Sequence, residues 1–346
     1  MKLSTPKTLV LTALMLITSL ASAGKNNIDI VGSSTVYPFS TVAAERFSQA
    51  TGHLAPKIES TGSGGGMKLF CKGIGANTPD VTNSSRRIKK SEQKLCAKNG
   101  VNDILEVKIG YDGIVIAQSL DGKSISLTRK ELFLALGKEV PNSSGKLVPN
   151  PNKMWSDVNS SLPDTTIRVY GPPPTSGTRD AFSELVLEKG CETDDALKIL
   201  KKSDKKTYKA ICHGVREDGV YIEVGENDNI IVQKLSSNPD TLGIFGFSFL
   251  EENRDKVRGI DIEGIAPEFE AIADGSYPIS RPLFFYAKIA HYGTVDNLRE
   301  FVEFFVQPEV MGDDGFLADR GLIPLPVDEY DAINKTVFEN QAMSQL

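Results

Sequence analysis

Three short stretches rich in serine, threonine and glycine hold the residues best suited to chemistry. They are Gly32-Ser33-Ser34-Thr35, Ser60-Thr61-Gly62-Ser63-Gly64-Gly65-Gly66 and Thr175-Ser176-Gly177-Thr178. Hydroxyls and backbone N–H groups donate hydrogen bonds without bringing a formal charge, so such stretches suit a small oxyanion. A fourth stretch, Asp80-Val81-Thr82-Asn83-Ser84-Ser85-Arg86-Arg87, adds positive charge. A guanidinium binds two oxyanion oxygens in parallel, which an ammonium does not. Arg86 is the arginine of this stretch expected to face the anion, with Arg87 and the following Lys89 and Lys90 facing solvent. Catalysis is the weaker reading. Ser63 or Ser176 as a nucleophile needs a base close by, and His213 and His291 stand in no catalytic motif. The pairs Asp194-Asp195 and Asp313-Asp314 read as solvated carboxylates. The glycine-rich stretch fails the G-x-x-x-x-G-K-[ST] phosphate loop at Met67 and Leu69 and contains no G-x-S-x-G elbow.

Each stretch sits where a β-rich run gives way to a helical pattern. Ile28 to Val31 precedes the first, and a helix beginning near Pro38 follows, with Phe39, Val42, Ala43, Phe47 and Ala50 at helical spacing and Gly52 at its end. Lys57-Ile58-Glu59 precedes the second. Thr166 to Tyr170 precedes the third, whose helix carries Ala181, Phe182, Leu185 and Val186 and ends at Gly190, with Thr175 or Ser176 as its N-cap. Helix N-termini present unpaired N–H groups and the positive end of the helix dipole. In an α/β fold such turns gather at the carboxyl ends of strands, where ligands bind. The alternation of strands and helices predicts that α/β class.

The 346 residues suffice for about two domains. With 39 basic and 45 acidic residues the net charge is −6, and no basic tail occurs, which argues against nucleic acid as a partner. Residues 1–23 read as a secretory signal: Lys2 and Lys7, an apolar core from Leu9 to Ile17, and the small-residue cleavage site Ala21-Ser22-Ala23. The apolar run is shorter than the ~20 residues of a membrane span, and no cysteine follows the cleavage site to carry a lipid. A soluble exported protein is expected. Its four cysteines allow three pairings, and their spacing favours two local loops, Cys71–Cys96 and Cys191–Cys212, over a metal site. No metal or other cofactor is expected.

GSSTVYPF, STGSGGGMKLF, the SSRRI stretch and PPTSGTRDAF occur in an order and spacing similar to those of periplasmic phosphate-binding proteins, the substrate-binding components of phosphate ABC importers. The closing segment from YPISRPLFFYAK to GDDGFLADRGLIPLP also resembles that family. The resemblance implies an α/β periplasmic-binding-protein fold of type II-like form, with two lobes, two crossover strands and the ligand in the cleft between lobes. It implies a non-enzymatic, monomeric periplasmic protein that binds inorganic phosphate and delivers it to a membrane permease; an exported phosphatase or other phosphoester hydrolase is the alternative. Matched by motif, Thr35 and the N–H of Val36, Ser63 with Gly64, Ser85, and Ser176, Gly177 and Thr178 would bind phosphate. The chain departs from the family at Ser85, where an aspartate is common, and at Gly171 to Pro174, where an arginine is. Arg86 and Arg179 are the expected replacements. Lobe 1 is expected to take residues 24–112 and 253–346, and lobe 2 residues 113–252. Pro141 to Pro151 is expected to be an exposed loop, Lys201 to Lys206 a solvated basic run, and the residues after Pro326 a surface tail.

Overall fold

The computed structural model describes residues 25–225 and 228–346. The expected signal segment lies outside them. Eleven strands form among the described residues: β1 (Asp29–Gly32), β2 (Lys57–Ser60), β3 (Val81–Ser84), β4 (Ile104–Ser119), β5 (Glu139–Pro141), β6 (Leu147–Pro149), β7 (Val169–Gly171), β8 (Tyr221–Glu223), β9 (Leu242–Gly246), β10 (Val257–Gly259) and β11 (Ser280–Lys288). Nine share one sheet in the order β2-β1-β3-β11-β4-β9-β7-β8, with β10 also paired to β4. β1, β2 and β3 are mutually parallel, as are β7, β8 and β9, while β11 and β4 run antiparallel to their neighbours.

β4 joins the two halves. Its first part, Ile104 to Gly113, pairs with β11, and its second part, Ile114 to Ser119, pairs with β9 and β10. The strand is almost wholly buried, and its second part, from Gly113 to Ala117, is apolar, as expected where helices cover both faces of a sheet. This is the two-lobed binding-protein architecture, with strands crossing between lobes and a cleft at the crossing.

Local sequence explains the elements that carry the polar loops. Helix α1 (Tyr37–Thr51) opens with a proline in its first turn and closes at Gly52, whose φ of 76° lets its N–H reach the Ser48 carbonyl. Its apolar face places Phe47 edge-on to Phe301 and Phe304, with ring centroids 5.4 and 5.5 Å apart. Helix α2 (Ser63–Phe70) begins inside the glycine-rich stretch, so Gly64, Gly65 and Gly66 are helical rather than loop residues. A Cβ on Gly66 would lie 2.5 Å from the Cα of Gly32 and 2.6 Å from Thr82 Oγ1; only glycine lets α2 approach β1 this closely.

Cys71 pairs with Cys96 and Cys191 with Cys212, as the spacing predicts. Each bridge closes a loop of 25 or 21 residues and is worth about 2–4 kcal/mol. Three surface expectations are corrected. Residues 142–146 are exposed as expected, but the ends of the stretch are ordered, β5 and β6 pairing as a hairpin around them. The residues after Pro326 are not a tail. They form a helix, Val327–Phe338, in which Tyr330 and Asn334 donate to the Val306 carbonyl, and Met343 then bonds to Ile104. Lys201 is not simply solvated, since it bonds to Glu188 and Glu192 beside the second disulfide.

Glu188 also accepts from His213 Nε2 at 2.7 Å. Burial alone would raise its carboxyl, but the hydrogen bonds from His213 and Lys201 outweigh it and hold it down to about 2. A lowered carboxyl stabilises the fold above its ordinary value of 4.5, and that contribution is lost as pH falls from there to about 2. Urea unfolding should therefore find Glu188→Gln less stable than wild type at neutral pH, with the difference closing towards about pH 2.

Candidate functional site

The carboxyl ends of β1, β2 and β3 lie side by side, with Gly32 opposite both Ser60 and Asn83. The loops leaving these three strands therefore share one edge. Ser63 Oγ accepts the Ser85 N–H at 3.1 Å and lies 3.1 Å from the Ser85 hydroxyl, tying the glycine-rich stretch to the Ser85-Arg86 stretch. Arg86 reaches this cluster from the side. Its Nη2 would lie 3.9 Å from a Cβ on Gly64, while its guanidinium grips Glu92 through two bonds of 2.9 and 2.7 Å. Arg87 turns outward, half exposed, onto Glu106.

From the other half, the loop after β7 brings Ser176 to Thr178 against Thr35. A Cβ on Gly177 would lie 4.0 Å from the Cα of Thr35. Ser176 is the N-cap of the helix that starts at Gly177, its hydroxyl accepting the Thr178 N–H at 3.2 Å. Val36 is fully buried, and its N–H faces Ser33 Oγ at 3.4 Å. Arg179 stacks over the Tyr221 ring at 4.5 Å, donates to the Pro172 carbonyl, and lies 3.6 Å from Glu223.

The charge at the centre comes from a residue the motifs did not single out. Arg281 of β11 is buried and donates from Nη2 to Thr35 Oγ1 at 2.7 Å, from Nε to Asp112 at 3.2 Å and from Nη1 to Glu184 at 2.6 Å. Arg281 and Asp112 are directly opposite each other across the β11–β4 pairing. Glu184 belongs to the helical segment that continues from Ser176 to Thr178. One guanidinium thus links the first anion loop, the crossing strand and the second half. Burial raises the Asp112 carboxyl above the usual range, Arg281 opposes that rise, and Glu184 adds to it.

A cavity of about 140 Å3 adjoins these loops and is lined by Thr35, Asp112, Thr178, Asp228, Ser248 and Arg320, among others. Among the described residues no cluster of histidine, cysteine or carboxylate side chains is arranged to hold a metal ion. The remaining titratable candidates are engaged elsewhere. His291 is buried between Asp80, at 2.7 Å, and the Ile74 carbonyl, at 2.9 Å, and His213 is bonded to Glu188. Neither serves Ser63 or Ser176 as a base.

Two α/β halves joined by crossing strands, with hydroxyl- and amide-rich loops facing one another across the cleft, define a solute-binding protein of the periplasmic type. The model of the PBP superfamily domain matches residues 18–309. The chain is 30% identical over 328 residues to protein SphX of Synechococcus elongatus, covering 93% of this chain and 84% of that one. It is 32% identical over 307 residues to phosphate-binding protein PstS of Staphylococcus epidermidis, covering 86% and 79%. Among solved structures, a possible phosphate binding protein from Planctomyces limnophilus superposes with a TM-score of 0.71 at 25% identity, covering 92% of this chain and 99% of that one. The chain belongs to the PBP superfamily and, within it, to the family of phosphate-binding proteins that includes PstS and SphX.

Proposed function

We propose that the chain binds one inorganic phosphate between its lobes, as a monomer in the periplasm, and delivers it to the membrane permease of an ABC importer without chemical turnover. The observation that carries this reading is the meeting of polar loops from both halves: Thr35, Ser63 and Ser85 from one, Ser176, Gly177 and Thr178 from the other. Their hydroxyl and amide donors, with those of Val36 and Gly64, replace the water around the anion. Its charge is compensated chiefly by Arg281, which already orients Thr35. Arg86 and Arg179 act from the edges, since Glu92 and the Tyr221 face hold them. The partner switch in β4 supports a first crossing at Gly113–Ile114, one residue beyond the expected boundary. β10 and Ile260 stay with the second half of β4, which supports a return crossing nearer Ser280 than residue 253. Export fits the two disulfides, and no helix among the described residues is long and apolar enough to cross a membrane. The hydrolase alternative draws no support from the relatives or from the placement of the histidines.

Equilibrium dialysis with labelled phosphate should give saturable binding of one phosphate per chain. No saturable binding at micromolar ligand overturns the reading, and release of phosphate from a monoester would favour the hydrolase.

A further inference from the structure

The cavity beside the polar loops has one cation among its described lining residues, Arg320, and that cation is unpaired. Each of the other arginines near those loops is matched by a carboxylate: Arg86 by Glu92, Arg87 by Glu106, Arg179 by Glu223, and Arg281 by Asp112 and Glu184. The side chain of Arg320 makes no ion pair or hydrogen bond among the described residues, although Asp112 and Asp228 line the same cavity. Arg320 is also exposed to solvent, whereas Arg281 is buried. A residue that is exposed and lines the cavity stands at its rim.

The backbone that carries Arg320 is fixed from both sides. It ends the short helix Ala318–Arg320, and Gly321 after it takes a φ of 88°, which returns the chain so that the Leu322 N–H reaches the Leu317 carbonyl. Two residues on, Ile323 exchanges both backbone hydrogen bonds with Tyr111, the residue before Asp112 on β4. On the other side, a Cβ on Gly321 would lie 3.3 Å from Ser248 Oγ, which belongs to the helix Phe247–Glu252 of the second half. The turn therefore sits at the seam between the halves, beside the crossing strand.

The net charge makes such a group useful. The chain carries −6, so the molecule as a whole repels an approaching anion, which turns toward positive charge that is not already neutralised. A guanidinium paired with a carboxylate has little net field at a distance. An unpaired one presents a full unit of charge, felt over about 8 Å at physiological salt. We propose that Arg320 captures the incoming anion at the rim of the cleft and passes it inward to the Thr35 and Thr178 loops, setting how fast phosphate binds rather than how long it stays. The proposal rests on the phosphate reading above. Arg281 and the polar loops hold the bound anion; Arg320, solvated and on a long side chain, acts before they do. Its effect is on the approach, so salt screens it. Arg320 is thus a positioning residue for the encounter, supplied by the last third of the chain.

The test measures both rates. Labelled phosphate chased with unlabelled phosphate gives the dissociation rate, and division by the Kd from equilibrium dialysis gives the association rate. Arg320→Gln should associate about three- to tenfold more slowly than wild type at low salt and dissociate within about twofold of it, with the difference mostly gone at about 0.5 M salt. Arg320→Lys keeps the charge and should associate within about twofold of wild type. Arg299→Gln removes one positive charge from the helix Leu298–Phe305, outside the cavity lining, where Glu303 pairs with it, and should leave both rates unchanged. Unchanged association in Arg320→Gln overturns the proposal. So does equal slowing in Arg299→Gln, which would make net charge rather than position the cause. A change confined to the dissociation rate also overturns it, because Arg320 would then hold the bound anion. If wild type binds no labelled phosphate at all, the functional reading falls and this proposal with it, an outcome distinct from binding with unaltered rates.

Discussion

Arg281→Gln should weaken phosphate binding by about a hundredfold or more, whereas Arg87→Ala should change it by less than about threefold. The contrast follows from where the two charges lie. Arg87 sits half exposed on Glu106, and a solvated pair of that kind contributes little. Arg281 has 9% of its side chain exposed and is held by Asp112, Glu184 and Thr35 at once. Removing it takes away the buried positive charge that meets the first polar loop and frees the Thr35 hydroxyl to turn. Loss of one partner of a buried charge pair costs about 2–5 kcal/mol, a factor of roughly 30 to several thousand in affinity. Arg86→Ala and Arg179→Ala should fall between, because each keeps a partner outside the cleft. Arg281→Gln also strands Asp112, so a melting curve must accompany the titration. The double variant Arg281→Gln/Asp112→Asn removes the stranded charge; it should regain stability without regaining phosphate. Near-wild-type affinity in either variant would remove Arg281 from the site.

Adjacent glycines of α2 should respond in opposite directions. Gly66→Ala should destabilise the protein by about 1–3 kcal/mol, since its methyl group collides with the Gly32 backbone and Thr82, and neither can move far in the middle of a sheet. Gly65→Ala has Thr61 Cβ as its nearest neighbour at 3.5 Å, an ordinary contact, and alanine favours a helix by up to about 1 kcal/mol. It should be neutral or stabilising. Thermal unfolding of the two variants decides the matter; equal effects in both would mean that the close approach of Gly66 to β1 does not set the cost. Gly66→Ala should also weaken phosphate binding, because pushing α2 off β1 moves Ser63 away from Ser85.

What was legible in the sequence was local. The three polar stretches, the strands before them and the helices after them are contiguous in the chain, so composition and spacing reveal them. The pairing of Cys71 with Cys96 and of Cys191 with Cys212 is likewise short-range. Arg281 escaped because its meaning depends on pairing across the chain. Its neighbours Pro282, Leu283 and Phe284 read as an ordinary apolar strand, and Asp112 lies far away in another. A signal was present all the same: an arginine and an aspartate each set in an apolar strand need a buried partner. The glycine-rich stretch was legible as a close approach of backbone, but its neighbour is β1 as well as any ligand, and only the packed structure separates those roles. The helix Val327–Phe338 was missed because its polar residues mask the Tyr330, Ile333 and Val337 spacing that packs it down.

The place of β11 has a consequence for the order in which the molecule takes shape. β11, Ser280–Lys288, lies between β3 and β4, so two strands from the first third of the chain meet only through one from its last third. A chain threaded through an export channel N-terminus first delivers β1, β2 and β3 early, along with the cysteines of the first disulfide. The far edge of β3 then stays bare, and with it Thr35 lacks Arg281, until Ser280 and the residues after it emerge. Contacts that span so much of the chain form slowly, and a bare strand edge invites wrong pairing in the interval. The half of the protein that emerges first is the half that is finished last.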